Sequence, residues 1–303
     1  MPRSQGRFMS ACAPISEGWR RAVAALATAL TLGAPVAAGP QRVVSMNLCT
    51  DQLALMLAEP GQLVSVSWLS HGSAAPALAE ATRALPANRG TAEDIFLLEP
   101  DLVLAGQFTT MATVAMLERL GVPVIRFPIE ASLDDVPRAL RAMGAALGTQ
   151  DRAEALVAQF AADRAAIAAH VASLPDRPRA AIYQARGFSA GPESLSGDIL
   201  DAAGLDNVAA ELGLSWGGQL ALESLILAAP EMLVTGRPDR AATRPGHSEA
   251  EALLAHPALA ALSSMARAAA LSDRDWVCGT PHVLDAVARL IAAREIAGQG
   301  GGG

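Results

Sequence analysis

Two fifteen-residue stretches, AEDIFLLEPDLVLAG (92–106) and LESLILAAPEMLVTG (222–236), carry Glu at the second place, Pro at the ninth, an acid at the tenth and Gly at the fifteenth. Each reads as one or two helical turns stopped by a proline, then an apolar strand whose end turns at a glycine. An apolar run such as LVLAG suits a strand buried on both faces of a parallel sheet. The copies lie 130 residues apart, so the chain is expected to hold two lobes, each built around one helix-Pro-strand unit.

The flanking pattern agrees. Strands are predicted at 42–46, 63–67, 101–105 and 123–127 in the first lobe, with helices at 50–58, 92–98 and 110–120. In the second lobe strands are predicted at 180–185, 231–235 and 268–272, with helices at 196–203, 219–228, 248–261 and 281–297. Strands alternating with helices imply α/β lobes of Rossmann-like form with parallel sheets. Between them DRAEALVAQFAADRAAIAAHVASL (151–174) has neither Gly nor Pro, opens on Asp151 as a cap and stops at Pro175. It predicts one stiff connecting helix of about 35 Å. The expected organisation is 1–38 as a leader, 39–148 as the first lobe, 149–175 as the connecting helix, 176–297 as the second lobe and the Gly-rich 298–303 as a tail.

The leader reading rests on GWRRAVAALATALTLGAPVAA. An arginine pair, Arg20 and Arg21, precedes an apolar run over 22–33, and Val36-Ala37-Ala38 is small enough for a signal peptidase. The run is shorter than the roughly 20 residues that span a bilayer, and translation could start at Met1 or Met9. Cleavage would leave 19 arginines against 29 acids, a balance of −10. An acidic surface of that kind argues against a nucleic-acid partner. It would also leave two cysteines, Cys49 and Cys278, in an oxidising compartment, where an even pair favours a disulfide.

With RVVSMNLCTDQLALML (42–57), the two repeat copies, the long helix and the closing WVCGTPHVLDAVARL, the chain resembles the helical-backbone periplasmic substrate-binding proteins of ABC importers for cobalamin, iron-siderophores and haem. The resemblance runs over about 41–297. It implies a monomeric periplasmic protein, not an enzyme, that takes a metal chelate into a cleft between its lobes and hands it to the importer's transmembrane subunits. It implies no resident cofactor or metal, although the chelate itself would carry Fe or Co. It also implies that Glu93 and Glu223, at equal places in the two copies, face arginines of the permease. Read from the residues alone, each could equally be a helix-start carboxylate favoured by the dipole.

In open parallel sheets, ligands bind beyond the carboxyl ends of the strands. The segments predicted there supply Asn47, Cys49, Trp68, His71, Asn88, Arg89, Phe108, Arg186, Phe188, Trp216, Trp276, Pro281 and His282 as candidate ligand-binding residues. Trp and Phe offer flat apolar area to a large ring, and arginines can meet carboxylate or phosphate. Either histidine could serve as an axial ligand to haem iron or cobalt, or could be an ordinary surface residue. Tyr183 is the single tyrosine, which disfavours haem held by tyrosinate. A corrinoid or ferric siderophore leads, with haem as the alternative.

Cys49, between a strand and a helix start, also has the placement of a thiol nucleophile, so a secreted thiol enzyme is a further reading. The sequence has no Gly-rich phosphate cradle beside it. For Cys49 and Cys278 three states stay open: a bridge between the lobes, two separate thiols, or thiols that touch the ligand.

Overall fold

The computed structural model describes residues 39–73, 76–236, 256–265, 267–271 and 273–298. The leader (1–38), most of the helix expected at 248–261 and nearly all of the tail lie outside them.

The first lobe runs β1 (Val43–Ser45), α1 (Leu48–Leu57), β2 (Leu63–Ser67), α2 (Ser70–Ser73), α3 (Ala79–Arg83), β3 (Ala87–Asn88), α4 (Ala92–Phe96), β4 (Leu102–Gly106), α5 (Met111–Arg119) and β5 (Val124–Phe127). Its five strands are all parallel in the order β3-β2-β1-β4-β5. The order reverses between β1 and β4, which opens a crevice at their carboxyl ends. All five residues of β4 are buried, as the apolar run predicts.

Two helices follow, α6 (Val136–Leu147) and α7 (Gln150–Ala172). Helix α6 is not among the elements expected from the sequence. Pro137 in fact sits in the first helical turn, where its missing N–H costs nothing, and Ser132 and Asp135 form a capping box just before it. The expected cap of α7 at Asp151 is corrected to Thr149, and the helix ends at Ala172, before Pro175. At 23 residues α7 is about 34 Å long. It packs antiparallel against α6 so closely that a Cβ on Gly144 would stand 2.5 Å from that of Ala153. The connector is thus a helical hairpin.

The second lobe runs β6 (Arg179–Tyr183), β7 (Phe188–Ala190), α8 (Leu195–Ala202), β8 (Asp206–Asn207), α9 (Val208–Glu211), β9 (Gly217–Gln219), α10 (Leu222–Ala228), β10 (Met232–Gly236), α11 (Pro257–Met265), β11 (Arg267–Leu271), α12 (Asp273–Trp276) and α13 (Val283–Gly298). Strands β11-β10-β6-β8 form a second parallel sheet, reversing order between β6 and β10. Strands β7 and β9 pair antiparallel as a small separate sheet. The helix expected at 219–228 starts later, at Leu222, because residues 217–219 form β9.

One apolar core runs through both lobes. Val43 and Leu104 of the first sheet, Leu140 of α6, Phe160 of α7, Ile182 and Val234 of the second sheet and Leu290 of α13 belong to it. The outer face of each sheet has its own cluster under the repeat helix, around Ile95 in one lobe and Leu225 in the other. At roughly 2 kcal/mol for each fully buried large side chain, the shared core holds the two sheets in a fixed relation.

Candidate functional site

At the carboxyl edge of the first sheet, Asn47 caps α1 by accepting from the N–H groups of Cys49 (3.0 Å) and Thr50 (3.5 Å). It stands hard against Gly106 at the end of β4, where a Cβ would come within 2.7 Å of its amide. Trp68, at the end of β2, is half exposed; Arg89, beyond β3, and Phe108, beyond β4, are exposed. His71 is exposed in α2.

Trp68 is held from behind. The buried Asp51 of α1 accepts from Ser67 N–H (2.9 Å) and Ser70 Oγ (2.5 Å), gripping the chain on both sides of Trp68 and Leu69. Its Oδ1 is buried without a hydrogen-bond partner among the described residues. Burial pushes this carboxyl up to about 7, against the lowering effect of hydrogen bonds from Ser45, Ser70 and Ser67. Sequence reading passed over Asp51. The available signal was a carboxylate in the first turn of a helix too apolar to face water.

In the second lobe Phe188 opens β7, with Arg186 two residues before it, and Trp216 immediately precedes the paired strand β9. Phe188 pairs with Gln219, and Gly217, next to Trp216, pairs with Ala190. Arg186 has φ 61°, a left-handed conformation uncommon for a residue with a Cβ. Trp216 is 58 % exposed and Phe188 41 %, so both rings offer a face.

The two edges meet at a seam. Cys49, in the first turn of α1, is bonded to Cys278, which follows α12, with Cα atoms 5.1 Å apart. Beside the bridge Glu130 of the first lobe accepts from Gly279 N–H, and a Cβ on Gly279 would lie 2.2 Å from that of Glu130. Burial raises the Glu130 carboxyl above its ordinary value, opposed by its backbone hydrogen bonds. His282 lines the same seam. Its Nε2 is buried without a partner among the described residues, Asp285 Oδ2 lies 3.9 Å from Nδ1, and burial lowers its pKa. Pro281 beside it is half-buried.

Several candidates are corrected. Asn88 is buried and donates to Ser45 C=O (2.8 Å) and Ser65 Oγ (3.0 Å), so its amide is engaged in joining strands. Trp276 is 3 % exposed within the shared core and has no face free for a ligand. Cys49 is half of a disulfide, so it presents no thiolate to a substrate or ligand. Tyr183 is fully buried at the end of β6. Glu93 and Glu223 are exposed on α4 and α10.

A family model described as periplasmic binding protein matches residues 43–267. The chain belongs to the periplasmic binding protein family. Other members of this periplasmic binding protein family resemble it at different levels. A cobalamin-binding protein of Halobacterium salinarum is 30 % identical over 216 residues, 69 % of this chain, and the chain spans 56 % of that relative's length. A periplasmic haem-binding protein from Roseiflexus sp. RS-1, solved without ligand, matches 84 % of this chain and 99 % of its own at 26 % identity, with a TM-score of 0.70. The periplasmic vitamin B12-binding protein of Vibrio cholerae shares the fold at 19 % identity and a TM-score of 0.64, over 85 % of this chain and 98 % of its own. The periplasmic binding proteins among these neighbours have the same two-lobe α/β architecture.

Proposed function

We propose that this chain is the solute-binding component of an ABC importer, working in the periplasm. It would capture a corrinoid or ferric siderophore between its lobes and deliver it to the membrane subunits. The observation that supports this is the placement of Trp68 and Phe108 on one sheet edge and Phe188 and Trp216 on the other, all at least two-fifths exposed, with the Cys49–Cys278 seam between the edges. Flat apolar faces on opposed edges suit a large planar or macrocyclic chelate. Arg89 and Arg186 are exposed beside them and can meet its peripheral anionic groups. On this reading Glu93 and Glu223 pair with basic residues of the membrane subunits, one for each lobe.

Haem is the second reading. It is favoured by the exposed His71 at the first edge and by the haem-binding relative from Roseiflexus. With Tyr183 buried, tyrosinate ligation is not open to it. The test is titration of the purified, unloaded protein with cyanocobalamin, a ferric hydroxamate and haemin, followed by quenching of tryptophan fluorescence. The expected result is saturable one-to-one quenching by a corrinoid or the hydroxamate at micromolar concentration or below. Saturation by haemin alone selects the second reading, and no saturation by any of the three defeats the proposal.

A further inference from the structure

The two repeat copies turn the same face to solvent. Helical spacing sets Glu93 one turn from Phe96 and Leu97 at the end of α4, and Glu223 one turn from Ile226 and Leu227 in α10. The opposite face of each helix is anchored by a fully buried residue, Ile95 in one lobe and Leu225 in the other. Leu97 is 79 % exposed and Leu227 85 %; with Phe108 they are the most exposed large apolar side chains described. A single exposed leucine needs no explanation. Two at equal places in separate lobes, each beside the same carboxylate, ask for one.

The backbone holds both leucines alike. The residue before the proline is left-handed in each copy, Glu99 with φ 49° and Ala229 with φ 45°. Neither is glycine, so both copies keep a conformation that residues with a Cβ seldom adopt.

We propose that Leu97 and Leu227, flanked by Phe96 and Ile226, are the apolar anchors of the surface that docks on the importer's paired membrane subunits. The inference rests on the docking reading of Glu93 and Glu223 and deepens it. Charge complementarity selects the occupant: two acidic-apolar patches, one per lobe, fit a partner that twice presents a basic side chain beside an apolar pocket. Exposed charge pairs mainly steer and orient an encounter, whereas buried apolar anchors set how long the complex lasts.

The experiment uses the full chain and its cognate importer in nanodiscs, defined as the membrane complex whose ATP hydrolysis the wild-type protein stimulates. L97N/L227N is compared with E93Q/E223Q by surface-immobilised kinetics at two salt concentrations. Circular dichroism confirms that each variant folds. The leucine variant is expected to weaken docking about hundredfold, chiefly through faster dissociation that salt hardly alters. The glutamate variant should slow association and lose its salt dependence, and both should bind chelate as wild type does. If L97N/L227N docks like wild type while E93Q/E223Q fails, the anchors are refuted and the docking reading survives. If neither pair changes docking, both are refuted. A wild-type dimer on sizing that L97N/L227N converts to monomer would make the patches a self-interface and overturn the proposal.

Discussion

Removing the Cys49–Cys278 bridge should destabilise the protein without rearranging it. The bond joins residues 229 apart in sequence, so in the unfolded chain it closes a very long loop. Chain-entropy arguments value such a closure at about 5 kcal/mol. The native state does not depend on it in the same way, because the core from Val43 through Phe160 to Leu290 already unites the two sheets. The loss should therefore act on the unfolded ensemble. The assay is urea unfolding followed by far-ultraviolet circular dichroism, on oxidised protein, on protein reduced with dithiothreitol, and on Cys49→Ala/Cys278→Ala. Reduced wild type and the double variant should coincide, each about 5 kcal/mol less stable than the oxidised form. For a folded unit of this size the melting temperature should drop by roughly 10 °C. A difference below about 1 kcal/mol would refute the reasoning, since the unfolded chain would then gain no freedom from losing the bridge.

Asp51 should make stability depend on pH. Its folded-state pKa lies at about 7, above the ordinary 3.8, so the native state binds the proton more tightly. The contribution is full below about pH 4 and is lost as pH rises to 7, a fall of about 3 kcal/mol between pH 5 and 8. Asp51→Asn keeps an acceptor for Ser67 and Ser70 and should flatten that slope in urea midpoints at the two pH values; an unchanged slope would clear Asp51 of the effect. Trp216→Ala should leave the melting temperature within about 1 °C, since the ring is 58 % exposed, while weakening the chelate that saturates the wild type by about tenfold. Equal affinity in the variant would remove Trp216 from the site.

The parallel sheets and the connecting helix were legible in the sequence because they depend on local pattern. A proline between an amphipathic turn and an apolar run stops a helix and starts a strand wherever it occurs, and its recurrence 130 residues on implied a second lobe. The exposure of Trp68 and Phe108 was legible for a related reason: residues just past a strand's carboxyl end, here those of β2 and β4, fall outside the packed layer. The rest required tertiary structure. Helix α6 was hidden because Pro137 is harmless only at a helix start. The short strands β3, β7, β8 and β9 have two or three residues each, too few for a period. Asn88 ends β3 and Trp276 ends α12, and their sequence neighbours did not show that strand joining engages one and the core covers the other. Nor could sequence choose among the three states of Cys49 and Cys278. A bridge needs Cα atoms within about 7 Å, and their separation of 5.1 Å follows only from how the shared core sets the two sheets edge to edge.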